Sequence, residues 1–268
     1  MPDEPSELLM ERHDALLIVT IDNQKVGNAL SAAAAIRLAD AFDDASTGTD
    51  GVRAVLLRSQ GRHFCTGADI SARRSGVDAP PTTGHMIRSL ARGHHRAVAS
   101  VFHCRVPVVA AVQGAAQGFG LHLALATDFV VASDDATFKA PFSDRGFNVD
   151  SGGSWLLPRL VGLTRAKRML YLADAVDATT AVDWGLVHQV VGREELEATA
   201  VALAARLAAR PTQVLAATKR LLHDALLTDL EQALHAESMA VELTLRGNDF
   251  KEGMQAFFQK RPPEFTGT

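Results

Sequence analysis

The sequence predicts an α/β fold that ends in an all-helical region. Two observations carry this prediction. Apolar, β-branched segments alternate with helical ones up to about residue 190, and every later segment has a helical pattern. Such alternation is typical of right-handed strand-helix-strand units, and the almost wholly apolar run at 106–112 is expected of a parallel strand covered on both faces. We therefore expect an α/β core over 1–192 and a helical region over 193–268.

Five segments have the apolar, β-branched composition of strands. They lie at 16–22, 52–59, 106–112, 128–133 and 187–191. Turn residues follow the first strand, and loops that contain glycine follow the next two strands, at 61–67 and 114–120. These loops mark the ends of strands, which is where α/β proteins bind their ligands.

Helical patterns occupy most of the remaining chain. Within the core they lie at 31–44, 85–103 and 119–127, and the segment 137–153 is expected to be irregular. Beyond the last strand they lie at 194–209, 212–227, 230–246 and 250–260. The apolar faces of these last helices must pack on the core or on another subunit.

Composition excludes several classes of protein. The 268 residues include 27 Lys and Arg against 31 Asp and Glu, so the net charge of −4 provides no basic field for nucleic acid. No apolar run is long enough to span a membrane, and the acidic, proline-containing start is unlike a signal peptide. With only two cysteines, Cys65 and Cys104, the chain is expected in a reducing compartment, the cytoplasm.

Two loops could present backbone amides to a ligand oxygen. One is FCTGADI at 64–70 and the other is QGAAQGFG at 113–120, which opens a helix. Glycine lets successive amides point outward, and free amides at a helix start favour developing negative charge. The second loop lacks GK[ST] and does not fit GxGxxG, so it is not a phosphate loop. Taken alone, each loop is more typical of a tight turn.

Titratable residues near these loops give no metal motif. His94, His95, His103 and Cys104 have neither HExxH nor CxxC spacing, so no metal is expected. Asp150 precedes a glycine pair and an apolar helix, where it could cap the helix or be a carboxylate held over a pocket.

Seven stretches in order resemble the enoyl-CoA hydratase/isomerase, or crotonase, superfamily. They are NALS at 28–31, FCTGADI at 64–70, PVVAAVQGAAQGFG at 107–120, DFVVAS at 128–133, GGSWLLPRLVG at 152–162, AVDWGLVHQVV at 181–191 and EGMQAFFQKRPPEF at 252–265. The resemblance implies a crotonase-like spiral of strand-strand-helix units with a C-terminal helical region. It also implies an acyl-CoA thioester substrate, no cofactor apart from the CoA of that substrate, and assembly as a homotrimer or a dimer of trimers.

The resemblance assigns the oxyanion hole to the backbone amides of Ala68 and Phe119. Such a hole stabilises the enolate that forms when a proton leaves the carbon next to a thioester. By the same resemblance, six residues are expected to contact CoA: Lys25, Ala68, Asp69, Ile70, Ser71 and Lys260.

The acid-base residues depart from the hydratase pattern. His122 and Phe142 stand where hydratases carry two glutamates, so plain hydration is not expected. Asp150 matches the acid of the isomerases, and DSGGSWLLPR at 150–159 resembles ring-opening epoxide isomerases and enoyl-CoA isomerases. His95 matches a histidine of the aryl-CoA dehalogenase branch.

The sequence therefore predicts an enoyl-CoA or epoxyacyl-CoA isomerase that uses Asp150. Two alternatives stay open. One is a hydratase in which His122 or Asp150 replaces the glutamates, and the other is a non-catalytic acyl-CoA-binding protein.

Overall fold

A computed structural model of the chain describes residues 7–48, 51–69 and 83–268. The described strands are β1 (Leu8–His13), β2 (Leu16–Ile21), β3 (Ala54–Ser59), β4 (Val108–Val112), β5 (Ala115–Gln117), β6 (Phe129–Ser133), β7 (Thr137–Lys139), β8 (Val176–Asp177) and β9 (Gln189–Val191). The main sheet has the order β1-β2-β3-β4-β6-β9, and β5-β7-β8 form a second, smaller sheet. In the main sheet β1 runs antiparallel to β2, and the other neighbouring strands are parallel.

Helices cover both faces of the main sheet. The described helices are α1 (Ala32–Thr47), α2 (His85–Arg92), α3 (His94–His103), α4 (Phe119–Leu125), α5 (Gly153–Tyr171), α6 (Ala178–Asp183), α7 (Leu196–Ala208), α8 (Thr212–Ala225), α9 (Leu230–Thr244) and α10 (Asn248–Gln259). The α/β class and the C-terminal helical region are therefore confirmed.

Strand β3 explains why the central strands are apolar along their whole length. Val55 and Leu57 belong to the larger hydrophobic cluster, while Ala54 and Leu56 belong to a second cluster on the other face. Successive side chains of a strand point to opposite faces, so a strand between two cores needs apolar residues at every position. All four of these residues are buried.

Helix α7 closes the second face of the sheet. Its residues Leu196, Ala200, Ala204 and Ala208 recur every four positions and pack in the same cluster as Leu56 of β3. That spacing places them on one side of a helix. The division into 1–192 and 193–268 stays a prediction, but α7 lies on the sheet of the core.

Several features of the fold differ from the expectations. The chain contains β1, which the sequence analysis did not predict, and β7 lies within the segment expected to be irregular. The single helix predicted over 85–103 is wrong, because α2 and α3 are separated at Gly93, whose φ is −108° and ψ is −103°. In the described ranges we find no helix that is both long and apolar enough to cross a membrane.

Candidate active site

The loop that carries Ala68 is hydrogen-bonded to Leu30 through the residues before and after Ala68. The Leu30 amide donates to the Gly67 carbonyl at 3.0 Å, and the Asp69 amide donates to the Leu30 carbonyl at 2.8 Å. In this parallel bridge the intervening amide of Ala68 points away from Leu30. Ala68 is half-buried, and its amide finds no acceptor among the described residues.

The second loop lies directly against the first. The Cys65 amide donates to the Ala115 carbonyl at 3.1 Å, and the Gln117 amide donates to the Cys65 carbonyl at 2.9 Å. A Cβ atom on Gly120 would lie 2.2 Å from the Cys65 carbonyl oxygen, so only glycine allows this approach. The contact brings the chain around Ala68 next to the start of α4.

Phe119 is the first residue of α4, so its amide has no carbonyl partner one turn earlier. Within the part of the chain that the structure describes, this amide donates no hydrogen bond. The preceding Gly118 has a φ of +53° and a ψ of −119°, a conformation that other residues rarely adopt. The Phe119 side chain is 3% exposed and packs into the core.

Asp150 lies in the turn that leads into α5. It does not cap that helix, because Gly152 occupies the N-cap position and no side chain bonds the helix start. The Asp150 side chain is half-buried, and in the described ranges it accepts no hydrogen bond. Its carboxylate is therefore left for another partner.

His94 contacts Phe119 and the Leu30 bridge that holds the Ala68 loop, and the sequence analysis gave it no role at the site. Its Nε2 atom lies 3.2 Å from the Leu30 carbonyl oxygen, and its ring packs edge-on against Phe119 at a centroid distance of 4.6 Å. Burial lowers the pKa of His94, while the bond to Leu30 and the charge of Asp150 partly oppose this. By contrast, His95 is exposed, so the structure does not place it with these groups.

His122 lies on the other side of the Asp150 turn. Its imidazole is fully buried, stacks on the Phe142 ring at a centroid distance of 5.5 Å, and lies so close to Gly153 that a Cβ there would be 2.2 Å from Nε2. Burial lowers the pKa of His122 to about 4, and the nearby Asp150 backbone offsets this only in part. The imidazole is therefore uncharged at neutral pH.

The buried polar atoms of His122 have no partner. Neither Nδ1 nor Nε2 has a hydrogen bond of acceptable geometry to a described residue, and the same is true of the hydroxyl of Ser151. Ser151 is 2% exposed and has a φ of +50°. The sequence analysis did not identify Ser151, because no local pattern shows that a hydroxyl will be buried.

The residues expected to contact CoA are only partly described. Lys25 is exposed in a short helical turn at Gln24–Val26, and Asp69 follows Ala68 in the first loop. Lys260 is exposed just after α10 and forms no ion pair with a described residue. Ile70 and Ser71 lie outside the described residues.

Within 7–48, 51–69 and 83–268, no group of three or more His, Cys, Asp or Glu side chains is arranged to hold a metal ion. The groups considered for the candidate site are two backbone amides, one carboxylate and two neutral imidazoles.

Comparison with known proteins places this geometry in context. A model of the enoyl-CoA hydratase/isomerase family matches residues 11–268. The chain is 38% identical over 218 residues to 1,2-epoxyphenylacetyl-CoA isomerase of Escherichia coli, covering 81% of this chain and 82% of that protein.

Two further proteins widen the range of reactions among the similar chains. One is (7aS)-7a-methyl-1,5-dioxo-2,3,5,6,7,7a-hexahydro-1H-indene-carboxyl-CoA hydrolase of Mycobacterium tuberculosis, 38% identical over 210 residues, with coverage of 78% of this chain and 80% of that protein. The other is the crystal structure of an enoyl-CoA hydratase from Bacillus anthracis, with a TM-score of 0.90, 27% identity, and coverage of 98% and 100%. These likenesses confirm the predicted fold class.

Proposed function

The chain belongs to the enoyl-CoA hydratase/isomerase family, and from this premise we propose that it is an enoyl-CoA or epoxyacyl-CoA isomerase with Asp150 as its single acid-base group. The names of similar proteins include an isomerase, a hydrolase and a hydratase, so they leave the reaction open. The side chains of the site are what favour isomerisation. The observation that carries the proposal is the uncapped carboxylate of Asp150, which accepts no hydrogen bond from a described residue and whose charge acts on His94, the ring that packs against Phe119.

The amides of Ala68 and Phe119 bind the thioester oxygen in this proposal. Removal of a proton from the adjacent carbon places negative charge on that oxygen, and each preorganised donor contributes about 3–4 kcal/mol to its stabilisation. Backbone amides keep this ability whatever side chain they carry. Phe119 can therefore occupy the position, and its buried ring fixes the amide by packing in the core.

Asp150 moves one proton between two carbons of the substrate. Its carboxylate takes a proton from the α-carbon of a 3-enoyl thioester, and the electron pair moves onto the thioester oxygen. The protonated carboxyl then gives the proton to the γ-carbon while the carbonyl re-forms with a conjugated double bond. No electrons leave the substrate, so the reaction needs no redox cofactor and CoA enters only as part of the substrate.

Hydration is the weaker alternative because the groups that would activate water are replaced. Phe142 cannot take a proton, and His122 is a buried imidazole whose pKa is lowered to about 4. A base whose pKa lies that far below neutral pH, and which has no access to solvent, is poorly matched to deprotonating water.

CoA contacts are proposed at both ends of the chain. Lys25 and Lys260 supply cations for the phosphates, and Ala68 with Asp69 borders the thioester end. Ile70 and Ser71 continue that border in the sequence. Both lysine side chains are exposed, which suits a polyanionic ligand that arrives from solvent.

We also propose that the protein assembles as a homotrimer or a dimer of trimers through its C-terminal helices. No hydrophobic residue of α8 or α9 is fully buried in the single chain. Several hydrophobic residues of these helices and of α10 are strongly exposed, among them Leu222 of α8 at 65%, Leu243 of α9 at 68% and Phe257 of α10 at 74%. Monomeric proteins rarely expose apolar surface on this scale, so a second copy is expected to cover it.

A panel of 2-enoyl, 3-enoyl and aryl-epoxide CoA thioesters tests the proposed reaction. We expect conversion of 3-enoyl or epoxide thioesters, followed by absorbance and mass spectrometry, with little hydration of the 2-enoyl compound. Hydration as the main reaction would identify a hydratase instead. Binding of all three classes without turnover would identify a protein that only binds acyl-CoA.

A further inference from the structure

Two buried polar side chains near the proposed acyl site have no hydrogen-bond partner among the residues that the structure describes. They are the imidazole of His122, with both ring nitrogens unbonded, and the hydroxyl of Ser151. The great majority of buried polar groups in proteins are hydrogen-bonded, because burial without a partner costs free energy. Two such side chains, one on α4 and one on the turn before α5, therefore call for a polar group that the described residues do not supply.

Both side chains lie next to the atoms that would hold the substrate. His122 is three positions after Phe119 on α4, so the two side chains lie on neighbouring positions of one helix face. Ser151 directly follows Asp150, and the imidazole contacts the same turn at Gly153. An acyl chain bound at Phe119 and Asp150 must pass close to this pair.

Apart from the Asp150 backbone, the groups found against His122 are apolar. Its ring stacks on Phe142. A Cβ atom added to Gly153 would lie 2.7 Å from a methyl group of Val149 and 2.2 Å from the imidazole. A purely hydrocarbon acyl chain would leave both nitrogens and the hydroxyl unbonded. An oxygen atom on the acyl chain could accept from an imidazole N–H and from the serine hydroxyl.

We propose that His122 and Ser151 form a subsite for an oxygen atom on the acyl group, so that the preferred substrates carry a hydroxyl, oxo or epoxide group beyond the thioester. This inference rests on the proposed function and narrows its substrate class. His122 acts in it as a neutral hydrogen-bonding group and not as the proton-transferring residue. Ser151 completes the subsite from the adjacent turn.

Matched pairs of CoA thioesters that differ by one oxygen test the subsite. Butyryl-CoA is compared with 3-hydroxybutyryl-CoA, and cyclohexylacetyl-CoA with (1-hydroxycyclohexyl)acetyl-CoA, by calorimetry on the Asp150→Asn protein so that no turnover occurs. We expect binding of the oxygenated member of at least one pair to be tighter by about tenfold or more. No preference in either pair would overturn the inference.

Variants then assign the preference to the two residues. His122→Leu should remove it by weakening only the oxygenated ligand, and Ser151→Gly, which tolerates the positive φ, should reduce it in part. The exposed His13→Leu is the control and should keep it. An unchanged preference in His122→Leu would also overturn the inference.

His122→Gln keeps the test decisive if His122→Leu does not fold. Its amide retains a donor and an acceptor, so a reduced but measurable preference is expected, and a preference equal to that of His122 itself would contradict the assigned role. Turnover by Asp150→Asn reports separately on the proposed function. Normal turnover there would refute the reaction, whereas loss of turnover without any oxygen preference would refute only the subsite.

Discussion

The carbonyl oxygen of Leu30 lies 3.2 Å from Nε2 of His94, and the same oxygen accepts the Asp69 amide at 2.8 Å. Because a carbonyl can only accept, Nε2 carries the proton, and burial keeps the imidazole neutral by lowering its pKa. The other side of this ring packs against Phe119. His94 therefore links the loop that carries Ala68 to Phe119, whose amide we propose as the second donor.

We predict that His94 is a positioning residue for the two amides. His94→Leu removes the bond to Leu30, and a displacement of the amides by about 1 Å should lower kcat by about 10²-fold. His94→Gln, whose amide nitrogen can reach a similar position, should recover most of this loss. Steady-state kinetics on the preferred thioester, with KM and kcat separated, measures both effects.

A purely structural role for His94 gives a different result. The His94→Leu and His94→Gln proteins would then lose activity in proportion to lost stability, and urea unfolding would account for the change in kcat. A KM that rises while kcat stays constant would also contradict positioning of the amides.

The close approach of Gly120 to Cys65 gives a second prediction. In Gly120→Ala the new Cβ would lie 2.2 Å from the Cys65 carbonyl oxygen, which is backbone and cannot rotate away. The two loops must separate, so we expect destabilisation of at least about 2 kcal/mol and loss of activity. Urea unfolding together with kinetics measures both.

Gly192→Ala is the matched control for that substitution. Gly192 has a φ of −57°, and the nearest atom to its Cβ position is a side-chain oxygen at 3.6 Å. Its effect should stay within about 0.5 kcal/mol. Equal effects of the two substitutions would show that the loop contact has no special importance.

The buried imidazole of His122 predicts acid lability. Its pKa is about 4 in the folded protein and 6.5 when unperturbed, so the unfolded chain binds more protons between these pH values. The free energy of unfolding should therefore fall as the pH decreases from 6.5 to 4, by on the order of 3 kcal/mol from this group. The stability that depends on neutral His122 is fully present above pH 6.5.

Denaturant unfolding at pH 7.5 and pH 4.5 measures this dependence. In His122→Leu the loss of stability on acidification should be smaller than in the unmodified protein, although lowered pKa values of His94 and His188 leave part of it. Identical pH dependence in both proteins would show that His122 is not buried in its neutral form.

The exposed aromatic residues of α10 allow a test of the proposed trimer or dimer of trimers. Phe257 and Phe258 are 74% and 73% exposed in the single chain. If a second copy covers them, a charge at either position should weaken association, and Phe258→Asp should shift sedimentation from a trimer or hexamer toward monomer. A monomeric unmodified protein at micromolar concentration would contradict the proposed assembly.

Long periodic segments of this chain were predictable, and short ones were not. The central strands are apolar on both faces, so composition alone identifies them. The three strands of the small sheet have three, three and two residues, which is too short for any period to appear. Strand β1 is exposed along most of its length and so lacks an apolar pattern.

The candidate site was also only partly predictable from the sequence. The glycine-rich loops indicated where backbone amides could point outward, but the assignment of the two amides to Ala68 and Phe119 came from the family resemblance and stays a prediction. The sequence could not decide between His94 and His95. Adjacent helical residues point about 100° apart, and which of the two faces the site depends on the helix break at Gly93. The unbonded state of His122 and Ser151 arises from tertiary packing and has no local signal.

Asp150→Asn tests the central claim most directly. The substitution keeps the shape of the side chain but removes its ability to take a proton. We predict that isomerisation of the preferred CoA thioester falls by about 10²–10⁴-fold while the dissociation constant of a non-reacting acyl-CoA stays within about threefold. Turnover close to that of the unmodified protein would contradict the account.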